Sequence, residues 1–132
     1  MARVLIIDDD VPFRQALAKH FEIAGHEVKQ AADGDAGIRA CATSPADVVL
    51  VDIFMPGQGG LKTIDRMRLE WPGVKIIAIS GVTSAGSLDV EGHALALGAH
   101  RFVSKPFEGS SMVTLAEQLL EGRTDPRSHS SD

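Results

Sequence analysis

The chain has 132 residues, of which 44% are apolar and 23% are charged, and its formal net charge is -5. These values are ordinary for one globular domain, and the acidic balance argues against direct nucleic-acid binding, because contact with phosphates needs a basic face. The single cysteine, Cys41, excludes an internal disulfide and suits a reducing compartment. Because no apolar run has the length of a membrane span or a signal peptide, we expect a cytoplasmic protein with no membrane contact.

Short apolar runs alternate with helical patterns along the chain. The first helical pattern places Phe13, Leu17 and Phe21 on one face. Beginning with a strand and alternating strand and helix, the predicted elements are residues 3–7, 11–24, 28–31, 36–41, 47–51, 61–69, 74–79, 88–97, 101–103 and 111–120.

Five strands separated by helices indicate a parallel sheet, because each crossover has the length of a helix. Runs such as "VVLV" are apolar on both faces, as a sheet covered on both sides requires. The sequence therefore predicts a doubly wound, three-layer α/β fold for residues 1–122. Residues 123–132 are polar and are predicted to be a disordered tail.

Polar side chains follow four of the predicted strands, at the point where each strand ends. Asp8 and Asp9 follow the first strand, Asp52 the third, Ser80 the fourth, and Lys105 lies just beyond the fifth. In such folds, ligands bind beyond the carboxyl ends of the strands. We therefore expect three carboxylates, one hydroxyl and one ammonium to meet at one edge of the sheet.

Each of these groups suits a site that binds a divalent cation and a phosphoryl group. Grouped carboxylates are typical ligands of Mg²⁺, which often shares its site with a phosphate. Lys105 and Ser80 fit the phosphate side, as a positive charge and a hydroxyl donor. A carboxylate such as Asp52 can act as the nucleophile that forms an acyl phosphate.

Four segments of the chain resemble the receiver domains of two-component response regulators. They are "VLIIDDD", "VVLVDIFMPGQGGL", "IIAISG" and "GAHRFVSKPF", in the expected order, and the likeness covers about residues 3–121. The resemblance implies a flavodoxin-like (βα)5 fold with the strand order 2-1-3-4-5.

The resemblance also implies a metal site and a reaction. Asp52 would accept a phosphoryl group from a phosphohistidine of a sensor histidine kinase or a histidine phosphotransfer protein. Asp9 would bind Mg²⁺ directly and Asp8 largely through water. Asp52 and the backbone carbonyl of Phe54 would complete the protein ligands.

Further residues receive roles by the same resemblance. Ser80 and Lys105 would each contact a phosphoryl oxygen, and the Lys105–Pro106 bond would be cis. Phe102 would be the switch aromatic of the fifth strand, where many relatives have Tyr. Asp10 matches no ligand position, and we interpret it as the N-cap of the first helix.

The resemblance implies signalling and no catalytic turnover. Phosphorylation would order the Gly- and Ser-rich stretch 81–92 and the fourth helix. The surface of the fourth helix, fifth strand and last helix would then bind a downstream protein. We expect a monomer or a weak dimer, either as a stand-alone receiver or as part of a longer regulator.

Two alternatives stay open at this point. Asp8 and Asp10 after an apolar strand also resemble the nucleophile motif of haloacid-dehalogenase-type phosphatases, which likewise use a Ser and a Lys. That family needs a further strand with an acidic pair, and it gives Asp52 no role. The second alternative is an interaction module of the same fold that acts without phosphate.

Overall fold

The structure is a computed structural model that describes residues 1–55, 59–81 and 90–124, with side chains to residue 122. The strands are β1 (Arg3–Ile7), β2 (Glu27–Ala31), β3 (Val48–Asp52), β4 (Lys75–Ser80) and β5 (Arg101–Ser104). The helices are α1 (Val11–Ile23), α2 (Gly34–Thr43), α3 (Gly60–Glu70), α4 (Val90–Leu97) and α5 (Gly109–Thr124). The predictions for residues 82–89 and 125–132 fall outside the described residues, whereas α5 continues to Thr124, two residues into the predicted tail.

The strands form one parallel sheet with the order β2-β1-β3-β4-β5, which confirms the predicted topology. Ile7 of β1 lies opposite Val51 of β3, so the acids that follow Ile7 emerge level with Asp52. Ser80 lies opposite Ser104 at the ends of β4 and β5, directly before Lys105. The register therefore brings the predicted site residues to one edge of the sheet.

The core has two layers, one on each face of the sheet. Leu50 packs in the layer beneath α1 and α5, whereas its neighbour Val51 packs in the layer beneath α2, α3 and α4. All five residues of β3 are buried, as the unbroken apolar run predicts. This confirms the three-layer architecture, and it leaves the strand ends as the place for polar groups.

Three helices begin at a glycine: α2 at Gly34, α3 at Gly60 and α5 at Gly109. The predicted starts were residues 36, 61 and 111, so each helix begins earlier than predicted. Glycine has a low helix propensity, and sequence patterns therefore place helix starts after it. At two of these positions the lack of a side chain allows close packing. A Cβ at Gly60 would overlap the carbonyl oxygen of Asp52, and one at Gly109 would overlap the ring of His20.

Gly60 sets the approach of α3 to the end of β3, and it provides a test of that packing. We expect Gly60→Ala to lower the free energy of unfolding by about 1–3 kcal/mol, because the added methyl must displace the backbone at Asp52 and Ile53. Urea denaturation measures the change. Gly73→Ala is the matched control, since Gly73 is exposed and a Cβ there meets no atom within 4 Å. Equal losses in the two variants would contradict the proposed packing constraint.

Candidate functional site

Three carboxylates meet at the carboxyl edge of the sheet. Asp8, Asp9 and Asp52 each place an oxygen within 4.8 Å of the others. The side chain of Asp8 is fully buried and that of Asp52 is 6% exposed, whereas Asp9 is exposed to solvent. The predicted acid cluster is therefore present, with two acids in the wall of the site and one at its mouth.

The two buried carboxylates are oriented by the backbone that follows them. The amide of Asp10 donates to Oδ1 of Asp8 at 2.9 Å, and the amide of Phe54 donates to Oδ1 of Asp52 at 2.8 Å. Each acid thus bonds the amide two residues further along, as in an Asx turn. This fixes both carboxylates and directs their other oxygens, Oδ2, at Lys105.

The ammonium of Lys105 lies between the two buried acids. Its Nζ is 3.1 Å from Oδ2 of Asp8 and 3.5 Å from Oδ2 of Asp52, and the side chain is only 18% exposed. The backbone amide of Lys105 donates to the carbonyl of Ser80 at 2.8 Å, which joins the ends of β4 and β5. The Lys105–Pro106 peptide bond is cis.

The electrostatics of the site follow from burial and from this pairing. Burial raises the pKa of the Asp52 carboxyl, and Asp8 raises it further, against the opposing effects of the Phe54 amide and of Lys105. Burial alone would lower the pKa of Lys105, but the hydrogen bond and the charge of Asp8, with those of Asp52, raise it overall. The site therefore favours the charged form of Lys105, whereas it disfavours the ionised form of Asp52 relative to an exposed aspartate.

The donors in the cluster fit a hard divalent cation. Three carboxylates and one ammonium leave a net charge of two negatives, which is the charge that such an ion neutralises. All three donors are oxygen atoms, as Mg²⁺ prefers, and they lie close enough to share one ion. Asp9 is the member that solvent reaches directly.

The other predicted residues surround the cluster at different depths. Ser80 is buried at the end of β4, one residue beyond Ile79, which lies opposite Asp52. Phe54 is 39% exposed beside the acids. The ring of Phe102 is partly buried and packs against the core layer beneath α2, α3 and α4.

Asp10 has a different role from the acids before it. Its Oδ1 accepts a hydrogen bond from the amide of Phe13 at 3.2 Å, which makes it the N-cap of α1, as predicted. This use of its side chain does not favour Asp10 as a partner of Asp8 in phosphatase chemistry.

Two contacts at the site had no counterpart in the sequence analysis. Nζ of Lys105 lies 3.9 Å from the centroid of the Phe13 ring, and Nη1 of Arg14 donates to the carbonyl of Asp8 at 2.6 Å. Helical periodicity identified Phe13 only as a core residue. The sequence signal that could have placed them near the site is their position, since both residues lie in the first turn of the helix that follows the acids.

Comparison with known proteins agrees with this geometry. The family model of the response regulator receiver domain matches residues 4–117. The transcriptional regulator NtrC of Azospirillum brasilense is 30% identical over 125 residues, which is 95% of this chain and 25% of NtrC. The phosphate regulon regulator PhoB of Pseudomonas aeruginosa is 29% identical over 93% of this chain and 53% of PhoB.

Solved receiver domains share the fold over nearly their whole length. The receiver domain of NtrX from Brucella abortus has a TM-score of 0.81 and 30% identity, covering 89% of this chain and 98% of that domain. A CheY-like receiver domain protein from Methanospirillum hungatei has a TM-score of 0.87 and 25% identity, covering 93% of this chain and 96% of that protein's chain.

Several of the matched curated regulators are much longer than this chain, which spans about a quarter of the length of the NtrC and NtrX relatives. Among the helices of the described residues, none has the length and apolar character to cross a membrane. Neither the phosphatase nor the phosphate-independent module is favoured by the matches. The chain belongs to the response regulator receiver domain family of two-component systems.

Proposed function

We propose that this domain accepts one phosphoryl group on Asp52 from a phosphohistidine of a sensor histidine kinase or a histidine phosphotransfer protein. The observation that carries the proposal is the position of Asp52. Its Oδ2 lies in a largely buried site, 3.5 Å from the Lys105 ammonium and in one cluster with Asp8 and Asp9.

The reaction is a displacement at phosphorus. One carboxylate oxygen of Asp52 forms the new O–P bond while the P–N bond to the donor histidine breaks, and the released imidazole takes a proton from solvent. The Phe54 amide holds Oδ1 of Asp52, which leaves Oδ2 as the attacking oxygen. Such transfers depend mainly on positioning and on neutralisation of charge.

The surrounding side chains supply that neutralisation. Asp9, Asp52 and the backbone carbonyl of Phe54 would hold Mg²⁺, with Asp8 acting through water, and the bound ion supplies charge neutralisation for the phosphoryl group. Lys105 pairs with one phosphoryl oxygen, since its ammonium already lies beside Asp52. The Ser80 hydroxyl donates to another.

The signal leaves the site through β4 and β5. Ser80 and Ser104 lie opposite each other, and the Lys105 amide is bonded to the Ser80 carbonyl. A shift of Ser80 towards the phosphoryl group therefore reaches β5, where the partly buried Phe102 can change rotamer. The changed surface of α4, β5 and α5 binds a downstream protein, so the domain acts as a switch and not as a turnover enzyme.

Stoichiometric labelling tests the phosphoacceptor. We expect incubation with acetyl phosphate and Mg²⁺ to add the mass of one phosphoryl group to the wild-type chain, measured by intact mass spectrometry. Asp52→Ala and Asp52→Asn should add none, because they lack the nucleophilic carboxylate. Asp65→Asn changes an exposed acid of α3 and should be labelled like the wild type. Labelling of the Asp52 variants would contradict the assignment.

Thermal unfolding tests the metal site. An ion that binds only the folded cluster stabilises the fold, and we expect millimolar Mg²⁺ to raise Tm by about 3 °C, reversibly with EDTA. Asp9→Asn removes an accessible carboxylate of the cluster and should lose most of the shift.

Asp10→Asn is the matched control for the metal test. It makes the same charge change one residue away and keeps a good N-cap, so it should retain the Mg²⁺-dependent rise in Tm. Equal shifts in Asp9→Asn and the wild type, in salt-matched buffer, would contradict a role for Asp9 in ion binding.

A further inference from the structure

The environment of the Lys105 ammonium includes an aromatic ring as well as two acids. Nζ lies 3.9 Å from the centroid of the Phe13 ring while it is 3.1 Å from Oδ2 of Asp8. The negative face of an aromatic ring attracts a cation at this distance, most strongly where water is largely excluded. With 18% of its side chain exposed, Lys105 meets that condition.

The ring that contacts Lys105 is itself held in place. Phe13 and Phe107 form an edge-to-face pair, with 5.6 Å between the ring centroids and an angle of 83° between the planes. The Phe13 amide is bonded to Oδ1 of Asp10, which anchors the first turn of α1 directly after the acid cluster. Phe13 therefore presents a fixed face to the ammonium.

The backbone at Gly81 also lies beside Lys105. A Cβ built at Gly81 would lie 3.4 Å from Cδ and 3.7 Å from Nζ of Lys105, so the lysine runs along Gly81. A lysine side chain has many rotamers, and it loses them when it is confined. Phe13 and Gly81 both lie beside the flexible end of Lys105 and limit the positions open to its charge.

An aromatic ring has a property that an added acid would lack. It attracts the ammonium without carrying a full negative charge, so it repels an incoming phosphoryl group far less than another carboxylate would. The lysine also needs no reorientation during the transfer, because the ring already holds the ammonium in position.

We propose that Phe13 is a positioning residue for phosphorylation, which holds the Lys105 ammonium where the phosphoryl group arrives on Asp52. The inference rests on the proposed function, and it assigns to α1 a part in the reaction beyond its packing against the sheet. Phe13 acts through Lys105 and contacts no reacting atom.

The rate of labelling tests this role. With saturating Mg²⁺ and acetyl phosphate, we expect Phe13→Leu to slow the labelling of Asp52 about five-fold, because leucine keeps the apolar packing and loses the ring face. Phe13→Tyr retains the ring and should stay within about two-fold of wild type. Phe21→Leu makes the same change at a fully buried ring of α1 outside the site and controls for lost stability.

An NMR measurement reports the contact without any phosphorylation. Protons of the Lys105 ε-methylene near the Phe13 face should be shifted upfield by the ring current. The signal is assigned by its loss in Lys105→Arg. Phe13→Leu should return the shift to the ordinary lysine value, whereas Phe13→Tyr and Phe21→Leu should retain it.

The two measurements separate the possible failures. If the wild type is labelled on Asp52 and Phe13→Leu reacts at the same rate, or no slower than Phe21→Leu, the role of Phe13 is overturned alone. An unchanged Lys105 shift in Phe13→Leu would overturn it in the same way. A wild-type domain that accepts no phosphoryl group would overturn the proposed function, and the role of Phe13 with it.

Discussion

The pairing of Lys105 with two buried carboxylates is the interaction on which the site depends. An isolated carboxylate inside a protein is strongly unfavourable, and removing one partner of a buried pair costs about 3–5 kcal/mol. Asp8 is fully buried and Asp52 nearly so, and Lys105 lies within 3.5 Å of both. The structure accommodates these acids because β5 ends where its lysine can reach the ends of β1 and β3.

The single ammonium does not balance the charge of all the acids around it, and the remaining negative charge suits the proposed chemistry. One ammonium among three acids leaves negative charge that favours a divalent ion, and burial, with a smaller effect of the Asp8 charge, raises the pKa of Asp52. The lysine, in turn, is placed beside the oxygen proposed to be phosphorylated. The site thus combines attraction for a cation with a positive charge for a phosphoryl group, and both follow from where the strands end.

Much of the fold and the site could be predicted because strand ends are visible in the sequence. The apolar run before Asp52 identified a strand buried on both faces, and its last residue proved to be that acid. Helix starts at Gly60 and Gly109 were missed, because tertiary packing outweighed the low helix propensity of glycine. The position of Phe13 in the first turn after the acids places it near the site, but its contact with Lys105 joins residues that are far apart in sequence, and helical periodicity does not identify that partner.

The glycine-containing turn between α3 and β4 lies at the opposite edge of the sheet from the acids. Gly73 is exposed there, a Cβ at this position meets no atom within 4 Å, and the Val74 amide bonds the Trp71 carbonyl at 3.0 Å. Exposed tips of this kind are where domain insertion and circular permutation succeed. Extra residues are therefore better tolerated at Gly73 than at the acid-bearing edge of the sheet, because a change at this corner is remote from the carboxylates.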